Sequence, residues 1–303
     1  MEKYLGIDIG GTFIKYGIIT QDGEVLSRDK LPTMREQPVM VLEKLVEIIE
    51  EQKEKYDIEK VGISIPGVIN SENRLVTSGA IEKMYEYDVS EIISKETGLD
   101  IKLTNDANAI ASAEKWVGAG KDCKNFVCLP LGTGVGGAIV IDGKIVKGRG
   151  GAAGEFGMSL MGLGKREPVR YDSTSFYCGA VAGLCRMYNF KIGIRDFSKW
   201  ERNIETILER AFQGQKEAIE SLDEFYNNVA ILLLNVSVSL DPEMILIGGG
   251  VSENEIIMRN IETEFRNLTI RYSDVTSLGV PEIKNCKLGN TAGMIGAVVP
   301  FVS

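Results

Sequence analysis

Residues 4–23 read YLGIDIGGTFIKYGIITQDG, and residues 126–143 read FVCLPLGTGVGGAIVIDG. In both stretches an apolar run ends at a glycine-rich turn, a second apolar run follows, and an Asp-Gly pair turns the chain again. The two Asp-Gly pairs lie 120 residues apart, and a short third run follows each of them. The shared order indicates two copies of one supersecondary unit, and therefore two similar domains that face each other.

The segments around the two copies add helices and further strands. From Pro38 onward, apolar residues recur at helical spacing, and residues 61–65 form a short apolar run that Pro66-Gly67 stops. Strand, helix and strand in this order indicate an α/β domain with mixed sheet direction. In the second half the patterns predict helices over residues 173–187, 201–212, 216–241 and 292–299, and a strand over residues 244–247.

A segment of linker composition, residues 117–122, marks the predicted domain boundary. We therefore predict an N-terminal α/β domain over residues 1–117, which the C-terminal helix over residues 292–303 closes. A larger C-terminal α/β domain is predicted over residues 118–291. A chain of 303 residues is long enough for two such domains, each with its own core.

The composition restricts the chemistry, because the chain contains no histidine. Mechanisms that need an imidazole base or ligand are excluded, so a general base must be a carboxylate, a lysine, a tyrosine or a thiolate. A net charge of −9 disfavours nucleic acid and anionic membranes as partners. Five cysteines without a Cys-x-x-Cys pair predict reduced thiols, and no signal-peptide pattern or long apolar run is present, so we expect a cytoplasmic protein.

Two glycine-rich turns are candidates for phosphate binding. In Asp8-Ile-Gly-Gly-Thr12, glycines let consecutive N–H groups approach phosphate oxygens, Asp8 can hold Mg²⁺ or its water shell, and Thr12 can donate a hydrogen bond. A plain hairpin turn explains this segment equally well. The corresponding turn over residues 132–137 has more glycines than a hairpin needs, which favours phosphate binding. It lies between two strand patterns, so it does not fit a dinucleotide-binding fingerprint.

The pair Asn105-Asp106 lies between a short strand pattern and the helix predicted over residues 107–116. Asn and Asp are favoured helix caps, which is one interpretation of the pair. The other is that Asp106 accepts a proton from a sugar hydroxyl while Asn105 fixes that sugar. Phosphoryl transfer depends mainly on positioning and charge stabilisation, so an Asp of modest basicity suffices as the base.

Two further glycine-rich segments are ambiguous. The first, residues 148–158, can wrap round a small ligand that Glu155 binds through two hydroxyl hydrogen bonds, or it can be a mobile surface loop. The second, Gly248-Gly-Gly250, follows a strand pattern and leads toward a helix. It can let a nucleotide approach the backbone, or it can be an ordinary strand-to-helix turn.

As a set, these motifs resemble the ROK family of repressors, open reading frames and sugar kinases. The resemblance runs in order from residue 4 to about residue 298 and rests on these motifs: Asp8-x-Gly-Gly-Thr12, Ser64-Ile-Pro-Gly67, Asn105-Asp-Ala-Asn108, Gly132-Thr-Gly-Val-Gly-Gly137, Ala153-Gly-Glu-Phe-Gly157, Asp241-Pro242 before Ile247-Gly-Gly-Gly250, and Ala292-Gly-Met-Ile-Gly-Ala297. It implies the actin-like, ribonuclease-H-like ATPase fold with mixed sheets and an interdomain active-site cleft. It also implies ATP and Mg²⁺ in that cleft, and transfer of the γ-phosphate to the 6-hydroxyl of a hexose.

The resemblance also implies roles for individual residues. Asp106 resembles the catalytic base, and it would bind the sugar together with Asn105, Glu155, Ser64, Pro66, Gly67 and Gly79. The residues that would bind ATP are Asp8, which would also hold Mg²⁺, with Gly10, Gly11, Thr12, Lys15, Gly132, Thr133, Gly134, Gly136, Gly249 and Gly250.

The sequence departs from the family pattern at the zinc site. The family usually has a histidine where this chain has Met158, and the cysteine-rich motif that should follow is absent from residues 162–174. We therefore expect no zinc. A further acidic sugar ligand usually follows those cysteines, and either Tyr171 or Asp172 can take its place. The resemblance is to zinc-free members, which include β-glucoside kinases and some N-acetylmannosamine kinases.

Several functional alternatives are compatible with the sequence. The segment Ser78-Gly-Ala-Ile81 resembles β-glucoside kinases, so glucose or a β-glucoside is the expected substrate, with N-acetylmannosamine or another N-acetylhexosamine as the alternative. A sugar-responsive repressor would carry a helix-turn-helix domain ahead of Asp8, where we expect none. A sugar-sensing regulator without catalysis is the alternative of another class. The resemblance implies a homodimer.

Overall fold

The computed structural model describes residues 2–302, in which two sheets carry the fold. The first has the strand order β3-β2-β1-β4-β5, in which β1, β2 and β3 form an antiparallel meander and β4 and β5 run parallel to β1. Its strands are β1 Lys3–Ile9, β2 Phe13–Thr20, β3 Val25–Pro32, β4 Lys60–Ile65 and β5 Asp100–Asn105. Its helices are α1 Pro38–Tyr56, α2 Val89–Thr97 and α3 Asp106–Val117.

The second sheet has the strand order β10-β9-β6-β7-β8, with β9 parallel to β6 and β10, and β7 antiparallel to β8. Its strands are β6 Phe126–Pro130, β7 Ala138–Ile141, β8 Lys144–Ile145, β9 Met244–Gly248 and β10 Glu282–Asn285. The remaining α-helices are α4 Thr174–Cys178, α5 Arg186–Lys191, α6 Ile204–Phe212, α7 Lys216–Leu240, α8 Glu255–Ile270, α9 Ser273–Leu278 and α10 Ala292–Val302. The predicted antiparallel meander of β1, β2 and β3 is therefore present, and the strands predicted around the second glycine-rich turn occur in their predicted order along the chain.

The chain divides into two compact units. One contains the chain up to Lys124, Ala138–Gly154, and the chain from Lys287 onward; the other contains Asn125–Gly137 and Glu155–Cys286. The boundary predicted between residues 117 and 118 stays a prediction. Within residues 2–302, no helix combines the length and hydropathy that a bilayer crossing requires.

The core of the first unit has two layers because strand side chains alternate between the faces of the sheet. On β1, Leu5 and Ile7 are fully buried in the cluster that α1 and α2 cover, whereas Tyr4 belongs to the cluster with α3 and α10. Gly6 and Gly62 are register partners on β1 and β4. A Cβ atom at either glycine would collide with a backbone carbonyl of α10, so the two glycines let this helix lie directly against the sheet.

The helix predicted over residues 173–187 is wrong as a single element. The chain leaves α4 at Gly179, which has extended backbone, and continues as a π-helical segment, Ala180–Cys185, before α5 begins. The N–H groups of Ala180 and Ala182 donate to the carbonyls of Gly132 and Thr133. These N–H groups donate to carbonyls of the glycine-rich turn instead of carbonyls of their own helix. A helical pattern in the sequence cannot show which of the two sets of carbonyls accepts them.

Candidate active site

Asp8 lies near the end of β1, and strand register determines its neighbours. It is paired with Lys15 on β2 and with Ser64 on β4. Ser64 Oγ donates to Asp8 Oδ1 at 2.8 Å, and Lys15 Nζ lies 3.8 Å from Asp8 Oδ2. A Cβ atom at Gly293 in α10 would collide with the Asp8 carboxylate. The structure therefore brings together three predicted residues, and it adds Gly293, which sequence reasoning assigned no role.

Burial raises the pKa of Asp8, while the Lys15 ammonium and the Ser64 hydrogen bond oppose that shift. The Asp8 side chain is 17% exposed, so part of it is accessible to solvent. A nearby cation would favour its ionised form. A single carboxylate that shares its ion with phosphate oxygens is the way in which proteins commonly hold Mg²⁺, so Asp8 fits that ion.

The turn between β1 and β2 is both a hairpin turn and a source of unbonded N–H groups. Gly10 N donates to Phe13 O at 2.9 Å, which closes the turn. The Thr33 hydroxyl donates to Gly10 O, and Thr33 N donates to Thr12 O. In the described part of the chain, the N–H groups of Gly11 and Thr12 have no hydrogen-bond partner. They are therefore available to an anion.

The corresponding turn of the second unit has the same property. The carbonyls of Gly132 and Thr133 accept hydrogen bonds from the π-helical segment, and Val135 N donates to Ser175 Oγ at 3.0 Å. The N–H groups of Thr133 and Gly134 have no partner within residues 2–302. Ser175, which the sequence reasoning missed, also leaves no space for a side chain at Gly134.

Gly249 lies next to this turn. Leu131 N donates to Gly248 O at 2.9 Å, and a Cβ atom at Gly249 would press against the Leu131 carbonyl. Gly249 has φ +78°, a left-handed conformation that favours glycine. A Cβ atom at Gly250 would meet open space. The second unit therefore brings the predicted residues Gly249 and Gly250 close to Gly132 and its neighbours.

Asn105 caps α3 and Asp106 begins it. Asn105 Oδ1 accepts from Asn108 N at 3.0 Å, so the capping interpretation is correct for Asn105. Its amide nitrogen donates to Gly67 O at 3.0 Å and to Asp106 Oδ1 at 3.1 Å, and Ala107 N donates to the same Asp106 oxygen at 2.9 Å. The cap thus holds the Asp106 carboxylate in place.

The predicted sugar residues of β4 and the following loop lie against this cap. Gly67 has φ +124°, and a Cβ atom there would collide with the carbonyl of Thr77. Gly79 N donates to Pro66 O at 3.2 Å, and a Cβ atom at Gly79 would lie 3.1 Å from Pro66 Cβ. The first unit therefore brings Pro66, Gly67 and Gly79 together with Asn105.

Glu155 is half-buried in the second unit, where it precedes a 3₁₀ turn. Its carboxylate has no hydrogen-bond or ion-pair partner among the residues that the structure describes. Burial raises its pKa above the ordinary value. A partly buried carboxylate without a protein partner is suited to accept hydrogen bonds from a ligand.

The segment after Met158 is organised by Asp172. This carboxylate, 3% exposed, accepts N–H groups from Lys165 at 3.0 Å and Arg166 at 3.3 Å. It also accepts the Tyr177 hydroxyl at 3.3 Å and pairs with the Arg166 guanidinium at 3.3 Å. Burial alone would raise the pKa of Asp172, but these donors and the Arg166 charge hold it below its ordinary value. Asp172 therefore holds the loop that follows residue 161.

No metal cluster accompanies these residues. Within residues 2–302, no group of three or more His, Cys, Asp or Glu side chains is placed to hold an ion. The expectation that zinc is absent stays a prediction.

The model of the ROK family matches residues 4–301. A β-glucoside kinase from Klebsiella pneumoniae is 31% identical over 302 residues, which cover 99% of this chain and 96% of that protein. An N-acetyl-D-glucosamine kinase from Haemophilus influenzae is 27% identical over 307 residues, which cover 99% of both.

The structure of a ROK family glucokinase from Streptomyces griseus in complex with glucose and AMPPNP is similar, with a TM-score of 0.79 and 27% identity over 97% of both chains. The predicted fold class is confirmed. The chain is α/β with two mixed sheets, and it has the two-domain actin-like ATPase fold of these neighbours.

Proposed function

The chain belongs to the ROK family, and from this premise we propose that it is an ATP-dependent sugar kinase that phosphorylates the 6-hydroxyl of a hexose. The observation that carries the proposal is the Asp106 carboxylate, which the Asn105 amide and the Ala107 N–H hold at the start of α3. A histidine-free chain needs a base of this kind.

In the proposed reaction Asp106 accepts the proton of the 6-hydroxyl as the hydroxyl oxygen bonds to the γ-phosphorus. The bond between that phosphorus and the β–γ bridging oxygen breaks, and ADP leaves with the electron pair. The transition state is loose, so the protein acts mainly by positioning the groups and stabilising charge. The fixed Asp106 oxygen and the cap that holds it supply this positioning.

The unbonded N–H groups of the two glycine-rich turns are suited to phosphate oxygens. Those of Gly11 and Thr12 belong to one turn, and those of Thr133 and Gly134 belong to the other. Gly249 and Gly250 would lie beside the adenosine. Asp8 would hold Mg²⁺, which neutralises phosphate charge, and Lys15 would add a further positive charge near Asp8.

For the acceptor we propose glucose or a β-glucoside, bound by Asn105, Asp106, Glu155, Ser64, Pro66, Gly67 and Gly79. Gly79 packs on Pro66 and has no side-chain amide that could bind an acetamido group. In addition, the relative from Klebsiella pneumoniae is a β-glucoside kinase. An N-acetylhexosamine is the second candidate, because the relative from Haemophilus influenzae is an N-acetyl-D-glucosamine kinase. Asp172 has its oxygens engaged by the loop, which favours Tyr171 over Asp172 as the additional sugar contact.

We also propose that the enzyme is a cytoplasmic homodimer that binds neither zinc nor nucleic acid. The acidic net charge supports the last point. The alternative of another class, a sugar-sensing regulator without catalysis, would bind a hexose and release no ADP.

A coupled ADP-release assay with Mg²⁺ tests the proposal over four acceptors: glucose, a β-glucoside disaccharide, N-acetylglucosamine and N-acetylmannosamine. We expect turnover with glucose or the β-glucoside, and slower turnover with both N-acetylhexosamines. A folded sample that binds one of these sugars but turns over none would support the regulator instead. The opposite order of rates would assign an N-acetylhexosamine as the substrate.

A further inference from the structure

The first unit contains a cavity of about 670 Å³ that is open to solvent on one side, and all the residues that line it belong to that unit. Its walls come from β5, α3, the β7–β8 hairpin and the end of α10. Of the residues assigned to the proposed reaction, Asn105 alone lines it, among those that the structure describes. The cavity is within the size range of small-molecule sites.

The cavity is basic in a chain whose net charge is −9. Four lysines line it, Lys102, Lys115, Lys144 and Lys147, and no Asp or Glu of the described chain does so. An acidic protein that gathers lysines without acidic partners creates a local positive potential, which attracts anions.

The charges of these lysines are not neutralised by the protein. Lys115 Nζ donates to the carbonyls of Lys121 at 2.9 Å and Cys123 at 2.8 Å, and Lys102 Nζ donates to the carbonyl of Pro300 at 3.3 Å. Lys144 and Lys147 are exposed, and no carboxylate within residues 2–302 lies within 4.0 Å of either ammonium group. Carbonyl partners position an ammonium group and leave its charge available to a ligand.

Asn108 supplies a second, independent observation. It is 9% exposed, it lines the cavity from the first turn of α3, and its Oδ1 has no hydrogen-bond partner. A buried polar atom without a partner is unfavourable, and rotation of the Asn108 side chain that turned this atom toward a ligand in the cavity would remove that cost. Because the two ends of an amide can be exchanged by rotation, Asn108 can offer a donor or an acceptor to the cavity.

We propose that this cavity binds a sugar phosphate. The lysines provide ammonium groups for the phosphate, and Asn108 and Ser112 provide an amide and a hydroxyl for sugar hydroxyls. Trp116 offers an aromatic surface for the apolar face of the sugar ring. A neutral sugar would leave the lysine charges without a partner, so the phosphate is the group that the site selects.

Trp116 makes the proposal testable without any catalytic readout. The chain has two tryptophans, so a Trp200→Phe variant leaves Trp116 as the single indole fluorophore. We expect its fluorescence to change saturably when glucose 6-phosphate is added without nucleotide. Inorganic phosphate should compete, and glucose at the same concentration should leave the signal unchanged.

In the same background, Lys144→Ala with Lys147→Ala should raise the Kd for glucose 6-phosphate by at least about tenfold, since two charge-assisted contacts are lost. Lys55→Ala with Lys95→Ala, two exposed lysines of α1 and α2, is the matched control and should leave the Kd unchanged. Turnover of a sugar by the Lys144/Lys147 variant should also persist.

Three results would overturn the proposal: no saturable change in fluorescence, an equal change with glucose, or a Kd that the Lys144/Lys147 substitutions leave unaltered. An unaltered Kd would mean that the fluorescence change comes from glucose 6-phosphate bound at the proposed catalytic site. Binding of glucose 6-phosphate is measured without nucleotide, so a protein that turns over no sugar can still bind this ligand in the cavity. Failure of the proposed kinase activity is therefore distinguishable from failure of the proposed binding site.

Discussion

Asp8, which lies on β1, is held in place by three other segments of the chain, which are β2, β4 and α10. The sequence pattern identified Asp8 as a candidate and the resemblance to the ROK family added Lys15 and Ser64, but only strand register places the Ser64 hydroxyl 2.8 Å from the Asp8 carboxylate. The closeness of Gly293 to Asp8 has no local signal in the sequence, because it depends on how α10 packs against the sheet. Candidate residues were therefore predictable, whereas their contacts required the three-dimensional structure.

Glu155 gives a pH-dependent prediction. Burial raises its pKa above the ordinary value of 4.5, so the folded state binds this proton more tightly than the unfolded state. As the pH rises from the pKa of Glu155 in the unfolded state to its higher pKa in the folded state, the free energy of unfolding falls. It stays lower at all pH values above the folded-state pKa. Glu155→Gln removes the charge, so its Tm should exceed that of the parent at about pH 8 and match it at about pH 4.

The control for this prediction is Glu72→Gln, since Glu72 is an exposed residue of the first unit. Thermal unfolding at the two pH values should show no pH-dependent difference between this variant and the parent. Turnover of the Glu155→Gln variant should fall, because the substitution removes the carboxylate that we propose accepts hydrogen bonds from sugar hydroxyls. A Glu155→Gln protein less stable than the parent at about pH 8 would contradict the interpretation.

The break after α4 connects a helix to the glycine-rich turn over residues 132–137. The carbonyls of Gly132 and Thr133 capture the N–H groups that would otherwise continue the helix, and Ser175 on α4 accepts the N–H of Val135. Most long elements, such as α1 and α7, followed from helical spacing. The break after α4 could not be predicted from helical spacing, because the carbonyls that cause it, those of Gly132 and Thr133, lie more than forty residues earlier in the sequence. α2 and β10 were also missed; β10 has only one apolar residue.

Ser175→Ala should weaken ATP binding. The substitution removes the acceptor for Val135 N–H and loosens the turn that presents the N–H groups of Thr133 and Gly134. Loss of one such hydrogen bond costs about 1 kcal/mol, which corresponds to a KM for ATP raised about fivefold. Steady-state kinetics at saturating sugar measure it.

Ser277→Ala is the matched control, because Ser277 is exposed on α9 and its hydroxyl donates only to the Ser273 carbonyl. Its KM for ATP should equal that of the parent. An unchanged KM for ATP in the Ser175→Ala enzyme would show that the hydrogen bond between Val135 N and Ser175 Oγ does not contribute to nucleotide binding, which would contradict the prediction.

The two sheets have corresponding strand orders, β3-β2-β1-β4-β5 and β8-β7-β6-β9-β10. The repeat predicted from the glycine turns and Asp-Gly pairs therefore extends to the two parallel strands that follow each meander. The loop held by Asp172 was not predictable. The sequence indicated only that the histidine and the cysteine cluster usual in the family are missing. It gave no sign that the buried Asp172 carboxylate, with four donors, would order this loop.

We propose that Asp106 is the catalytic base of a sugar kinase. Its most direct test compares the turnover of Asp106→Asn with the parent on the best acceptor, while calorimetry measures sugar binding in both proteins. Asn keeps the shape of the side chain and cannot accept the proton, so turnover should fall by about 10²- to 10⁴-fold while the Kd for the sugar changes little. An Asp106→Asn enzyme that binds the sugar and turns it over at nearly the parental rate would contradict the claim.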